Sequence, residues 1–336
     1  MGNRPLNTDS IRTIDEENQS RKNERWVWFY ENVCWIPFDD IVNQLIENAF
    51  REKRKEFQLD QSIIDLDKFI EIDKEDSSIR RPIKRSLLQQ NQIPIRSQRF
   101  STSEKPVQSF NENDKNDRRF LNECRKRYRK MTLDQLLDQS AQGIVQEGIL
   151  LEKQSEAQWI AEQLRSFQGK SREDLEKIVI YLYTFESFLY RLINRTLREN
   201  DHSKLDTLGP FIQILFRCDC SPSTDKVGFN GILYRGAQLD DQTIQSYQQS
   251  IGSVKTWDAF ASTSKNRSQA ECYGNVLFII THQKSTRYRY SGMDISAISF
   301  YPLEEEVLIR AGRDFLVEKV EEDPLKKKFF IYLSLD

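Results

Sequence analysis

The stretch Ser86–Asn116, SLLQQNQIPIRSQRFSTSEKPVQSFNENDKN, limits what this chain can become more than any other feature. Gln, Asn, Ser and Pro dominate it, and neither a helical nor a strand period runs through it, so it reads as a linker. A basic run follows at Arg118–Lys130, RRF…RKRYRK. A short charge run of this kind is ordinarily the solvated face of a helix. Two folded units are therefore expected. Residues 1–22 are polar and read as disordered, 23–88 as a first unit, 89–132 as a polar and basic linker, and 133–336 as a second unit. At 336 residues the chain has room for two domains. Only 38% of it is hydrophobic, but 20 Phe, 12 Tyr and 5 Trp are enough to build their cores.

The net charge of −2 gives no electrostatic case for nucleic acid or an anionic membrane as a partner. No apolar run approaches the roughly 20 residues of a membrane span. The first residues, MGNRPLNTDS, lack the apolar core of a signal peptide, and Leu6 and Asn7 stand where a myristoylation signal carries a hydroxyl. The odd count of five cysteines points to a reducing, intracellular and cytoplasmic setting. Cys218 and Cys220 are too close in sequence for an easy disulfide. The two histidines, His202 and His282, have no metal-site spacing, so neither a metal nor a His-based nucleophilic triad is expected.

In the first unit, WVWFYENVCWIPF reads as two short strands around a turn at Glu31–Asn32. DDIVNQLIENAFREKRK reads as a helix capped by Asp39 or Asp40. Ile41, Leu45 and Ala49 form one stripe, with Val42, Ile46 and Phe50 beside it. FQLDQSIIDLDKFIEID reads as a strand and a short further element, and SSIRRPIKR closes the unit with a basic cluster.

The second unit opens with helices. SREDLEKIVIYLYTFESFLYRLINRTLREND reads as one long helix, with Ser171 as its cap and Asp174 in its first turn. Gly209–Pro210 reads as a break before a further helix, PFIQILFRC. Short strands follow: ILYRG, VKTWDAFASTS, VLFIITH, EEEVLIRAG, FLVEKVEE and KKFFIYLSL. Helices first and strands afterwards indicate an α+β fold.

Three features on those strands carry chemistry. LYRG holds Arg235 next to Gly236; FASTS ends a strand with Ser262, Thr263 and Ser264; YPLEEEVLI opens a strand with Glu304, Glu305 and Glu306. Alternation along a strand would place Glu304 and Glu306 on one face and turn Glu305 away. Two carboxylates side by side repel unless a cation lies between them. Alone, each feature is an ordinary surface arginine, strand end or acidic edge. Together, in this order, and with YT…FLYRLINRTLR and PFI upstream, they resemble the arginine-specific, toxin-related mono-ADP-ribosyltransferases of the Arg–Ser–Glu type. The resemblance covers roughly 190 residues.

What the resemblance implies is specific. The fold would be helices followed by a split β-sandwich with an NAD cleft, and NAD, or NADP, would be a substrate. Arg235 would grip the NAD phosphates, since its planar fork makes bidentate contacts that Lys does not. Gly236 would let the cofactor approach the backbone. Ser262 would orient the catalytic glutamate, with Thr263 and Ser264 on the nicotinamide side of the pocket. Glu306 would stabilise the oxocarbenium-like centre that forms as nicotinamide leaves, the charge logic of glycosidic cleavage. Glu304 would bind the guanidinium of a protein arginine acceptor. Phe300 and Tyr301, in the loop before, would stack on target or nicotinamide. Arg235 stands where polymer-forming relatives carry a His, which argues for single transfers. Two other readings remain: an NAD glycohydrolase, with water as acceptor, and a catalytically inactive protein that binds ADP-ribose.

The first unit resembles a WWE domain over about residues 24–87, through Trp28, Trp35 and Glu47. Such a module implies a half-barrel sheet with one helix, and recognition of ADP-ribosylated proteins or other protein partners. Trp28, Tyr30 or Trp35 would face an adenine, while Arg80, Arg81, Lys84 and Arg85 would hold phosphates. Ser62 and Glu71 depart from the ligand-binding pattern, and a carboxylate beside a pyrophosphate is unfavourable.

Overall fold

The computed structural model describes residues 24–89, 110–112, 119–218, 229–282 and 292–335. The expectations for 1–22 and for much of 89–132 lie outside the described residues, as does Cys220.

The first unit is a six-stranded antiparallel sheet with one helix. β1 (Glu24–Asn32) and β2 (Cys34–Pro37) form a hairpin that turns at Val33, slightly later than expected. Helix α1 (Asp40–Arg51) follows, and Ile41, Leu45, Ile46 and Ala49 from its apolar face are all buried. The stretch read as a strand and one further element resolves into three strands, β3 (Glu56–Gln58), β4 (Ser62–Asp65) and β5 (Ile70–Asp73). β6 (Arg80–Gln89) closes the sheet, whose order is β2-β1-β6-β5-β4-β3. β6 changes partner along its length: Ile83–Gln89 pair with β1, and Arg80–Pro82 pair with β5.

The short strand β7 (Asn111–Glu112) and helix α2 (Arg119–Tyr128) come next. In α2, Phe120, Leu121, Cys124 and Tyr128 are buried while Arg125, Lys126 and Arg127 are exposed, so these cations of the basic run are a solvated helix face. Helix α3 (Leu133–Leu150) starts with a capping box, in which the Thr132 hydroxyl accepts from Gln135 N–H and Gln135 Oε1 accepts from Thr132 N–H. Helices α4 (Gln154–Ser166), α5 (Arg172–Thr184), α6 (Phe188–Glu199) and α7 (Leu205–Arg217) complete the block. Ser171 caps α5, its side chain accepting from Asp174 N–H as the sequence indicates.

Two helix expectations need correction. The single long helix is broken at Phe185–Ser187, where Phe185 turns extended (φ −65°, ψ 143°) and Ser187 begins α6. Gly209–Pro210 does not break a helix but lies inside α7. A Cβ on Gly209 would come within 2.7 Å of the Tyr128 ring, so this glycine serves the close approach of α2 to α7.

The strands β8 (Gly231–Ala237), β9 (Val254–Trp257), β10 (Ala261–Ser264), β11 (Val276–His282), β12 (Gly292–Asp294), β13 (Glu306–Ile309), β14 (Arg313–Asp323) and β15 (Lys328–Leu335) follow. Helices α8 (Asp241–Gln249) and α9 (Arg267–Glu271) lie between them. Their order is β12-β13-β10-β8-β11-β15-β14-β9-β7. VKTWDAFASTS is therefore not one strand: β9 pairs with β14, whereas β10 pairs with β13 and β8. β8 meets β10 at the single pair Ser264↔Tyr234, although β8 pairs with β11 over seven residues. The sheet thus divides there into two leaves. Ala261, Val307 and Ile309 from one leaf share a core with Leu233, Phe278 and Ile331 from the other, which makes a split sandwich. A second core joins the first unit's Trp28, Ile41 and Ile64 to the helices and to Leu308 of β13. The chain is α+β. Among the described residues, no helix is long and apolar enough to cross a membrane.

Candidate active site

The three strand motifs meet at the division of the sandwich. Ser264 is the register partner of both Tyr234 on β8 and Glu306 on β13. Arg235 is the next residue after that contact, and its Nη1 donates to the Ser262 carbonyl at 2.7 Å. Ser262 and Ser264 lie on one face of β10 by alternation, so both neighbour Glu306, directly or diagonally. Thr263 faces the other way, and its hydroxyl donates to the Val307 carbonyl at 2.6 Å, tying β10 to β13. Glu306 is 1% exposed, and the Ser299 hydroxyl lies 3.5 Å from its Oε2. Ser299 was not singled out from the sequence; only its closeness to the acidic motif marks it.

The acidic motif differs from the strand expected. Pro302–Glu304 form a 3-10 turn, Glu305 is left-handed (φ 46°, ψ 47°), and β13 begins only at Glu306. Strand parity therefore does not relate Glu304 to Glu306. Glu304 sits half-buried at the rim, with its carbonyl accepting from the Ser264 hydroxyl at 2.7 Å, and Glu305 is exposed. The separation of the two acids comes from a left-handed residue, a conformation uncommon outside glycine and asparagine.

Two further readings change. A Cβ on Gly236 would lie 2.1 Å from the Ala270 carbonyl and 2.7 Å from Tyr273 Cβ. The space a side chain would take is filled by α9 and the residues after it, so helix–strand packing by itself requires a glycine here. Phe300 and Tyr301 are engaged inside the protein instead of offering a stacking surface. The Phe300 ring stacks on Phe185 at 4.2 Å, and the Tyr301 hydroxyl lies 2.6 and 2.7 Å from the two carboxylate oxygens of Asp40.

In the first unit Trp28 is fully buried, with its indole N–H donating to Glu47 at 3.0 Å. Trp28 therefore builds the core and does not face a ligand. Burial would raise the Glu47 pKa, but hydrogen bonds from Arg85, Trp28 and Arg51 outweigh it and hold the carboxylate below its ordinary range. On the surface, Trp35 is 38% exposed and Lys84 Nζ sits 4.1 Å over its ring. Arg81 stands over half-buried Tyr30 at 5.0 Å and pairs with buried Glu71 at 3.1 Å. Ser62 is buried.

The family model described as NAD:arginine ADP-ribosyltransferase matches residues 122–334, well over half of the chain. The chain belongs to this family. A WWE-domain model matches residues 26–85, so the transferase unit is preceded by a WWE domain. A Mycobacterium avium (strain 104) protein, Mav, assigned by name to the NAD(+)–arginine ADP-ribosyltransferases, is 33% identical over 99 residues. That match covers 29% of this chain and 11% of the relative. Among solved structures, the ADP-ribosyltransferase HopU1 of Pseudomonas syringae pv. Tomato DC3000 is 20% identical with a TM-score of 0.40. It covers 67% of this chain and 99% of its own. C3stau2 from S. aureus, solved with NAD, is 18% identical with a TM-score of 0.39, covering 50% of this chain and 88% of its own.

Proposed function

We propose that the protein transfers ADP-ribose from NAD, or NADP, to arginine side chains of proteins and releases nicotinamide, inside the cell. The observation that carries this reading is the convergence of Arg235, Ser262–Ser264 and buried Glu306 at the one point where β8, β10 and β13 meet. Arg235 would hold the pyrophosphate, its guanidinium already fixed by the Ser262 carbonyl. Glu306, withdrawn from water, would stabilise positive charge on the nicotinamide ribose as the glycosidic bond lengthens, where a carboxylate acts more strongly than in solvent. Glu304, at the rim, would receive the guanidinium and direct one nitrogen to the anomeric carbon. The released proton and nicotinamide would leave toward solvent. Residues 133–336 would carry the chemistry and 23–88 the recognition of ADP-ribosylated or other protein partners. On the WWE surface, Tyr30 and Trp35 with Lys84 are the candidates for ligand contact, since Arg81 already has Glu71 as its counter-ion.

The test incubates the full chain with labelled NAD and agmatine, following nicotinamide release and label transfer separately. Glu306→Gln is expected to lower both by about a hundredfold or more, the scale of losing an electrostatic stabiliser. Glu304→Gln is expected to abolish transfer while NAD cleavage persists. Transfer that survives Glu306→Gln at the wild-type rate would sink the reading, and equal loss of both activities in Glu304→Gln would remove Glu304 from the acceptor role.

A further inference from the structure

Asp40, the first residue of α1 in the WWE domain, lies 261 residues before Tyr301, yet the two are in direct contact. Its carboxylate accepts the Tyr301 hydroxyl at 2.6 and 2.7 Å and the Glu186 N–H at 2.7 Å. Its own N–H donates to the Glu186 carbonyl at 3.2 Å. Asp40 is 5% exposed and Tyr301 9%, so water does not compete for these bonds. The two backbone groups that Asp40 satisfies belong to the break between α5 and α6. One carboxylate thus holds both the break and the loop that precedes the acidic motif.

Tyr301 is connected onward to both glutamates. Its N–H donates to the Ser299 hydroxyl at 3.1 Å, and that hydroxyl lies 3.5 Å from Glu306 Oε2. Its carbonyl accepts Glu304 N–H at 3.1 Å, opening the 3-10 turn that carries Glu304. The neighbouring Phe300 is fixed on the same break, its N–H donating to Thr184 Oγ1 at 2.9 Å and its ring stacked on Phe185. The loop therefore has two anchors: the α5–α6 break and the WWE domain.

We propose that Asp40 is a positioning residue for the acceptor step: the WWE domain latches Tyr301 and so sets the placement of the turn bearing Glu304. The proposal rests on the arginine-transfer reading given above. A charged hydrogen bond that two oxygens share with one hydroxyl fixes an angle as well as a distance. A turn held to within a fraction of an ångström is what orientation of an attacking nitrogen requires. On that reading cleavage of NAD depends on Glu306, whose place is set by the pairing of β13 with β10 and not by the turn that carries Glu304.

The test uses the full chain with Asp40→Ala, Tyr301→Phe and the double variant. Three quantities are read: NAD cleavage to water, the KM and kcat for agmatine, and amide hydrogen exchange over residues 299–305. Asp40→Ala is expected to raise the agmatine KM, or lower the ratio of transfer to hydrolysis, by about tenfold, the scale of one charged hydrogen bond. Its hydrolysis is expected to stay within about twofold of wild type. Tyr301→Phe, which leaves the core volume intact, is expected to give the same shift in the ratio, and the double variant no more than either single one. Exchange over 299–305 is expected to quicken in all three. An unchanged ratio, or equal loss of both activities, overturns the proposal. Should the wild-type chain not modify agmatine at all, the transfer reading fails while exchange still decides the latch: faster exchange in the variants upholds it and unchanged exchange overturns it.

Discussion

At Gly236 the missing methyl group is what allows α9 to lie on β8. The Ala270 carbonyl occupies the position a Cβ would need, and backbone cannot rotate away as a side chain can. Gly236→Ala is therefore expected to destabilise the transferase unit by about 2–3 kcal/mol, as overpacking does elsewhere. The change should be read as a fall in the denaturation midpoint, with the KM for NAD changed only in proportion to strand displacement. A variant of wild-type stability that nevertheless loses NAD affinity would return the glycine to the cofactor. Single residues also show where sequence reasoning stops. That Arg235, Ser262 and Glu306 come together was legible, because three spaced motifs with matching flanks restrict each other. The relation of Glu304 to Glu306 was not, because strand parity assumes extended backbone and Glu305 is left-handed. Nothing in three consecutive glutamates signals that turn; it depends on the carbonyls of Glu304 and Glu305 accepting from Ser264 and Lys265, some forty residues away.

Helix α1 and its N-cap residue, Asp39, hold two acids whose surroundings push them in opposite directions. Burial drives the Asp39 pKa up to about 6, partly offset by Arg191 and aided by Glu156 and Glu186, with Lys153 opposing. Glu47 at the other end is held below its ordinary value despite burial, by Arg85, Trp28 and Arg51. A raised carboxyl favours the folded state only when protonated, so its contribution is present below pH 3.8 and lost as pH rises through about 6. A depressed carboxyl contributes above 4.5 and loses that contribution as pH falls further. Asp39→Asn is thus expected to match wild type near pH 4 and to gain on the order of 1 kcal/mol by pH 7, allowing for the partial exposure of Asp39. Glu47→Gln should show its full deficit at pH 7 and a shrinking one below pH 4.5. Melting temperatures from pH 4 to 7 check Asp39, and their continuation below pH 4.5 checks Glu47; a difference flat with pH in its own window would contradict either assignment. The same helix shows what was legible at this scale. Its apolar stripe fixed its extent within a few residues. The break at Phe185–Ser187 was hidden, because YLYTFESFLYRL has continuous helical period and the group that satisfies the break, Asp40, is 146 residues distant.

Across the whole molecule the sequence implied two units on a tether, but the described residues are joined more closely than a tether requires. Trp28, Ile41 and Ile64 of the WWE domain belong to the same buried core as Leu164, Phe185 and Leu189 of the helical block. Asp60 accepts from both the N–H and the hydroxyl of Ser155 at 2.9–3.0 Å, and Asp40 closes the contact at its other side. These contacts were not legible, since surface polarity in each unit's pattern says nothing of which faces will meet. The β8–β11–β15 leaf has a separate core, with Leu233, Phe278, Ile280, Ile331 and Leu333 inside it. A core shared between units makes them unfold together, while separate cores can open one at a time. Trp28→Ala removes a fully buried indole and the donor to Glu47, which should cost about 3–5 kcal/mol. Hydrogen exchange is expected to quicken in α1 and β6 and equally in α4 and the α5–α6 junction, while β11 and β15 keep their wild-type protection. Loss of protection confined to residues 24–89 would mean that the WWE domain opens by itself. The Asp40 latch would then be able to release Tyr301 without disturbing the helices that carry the loop's second anchor.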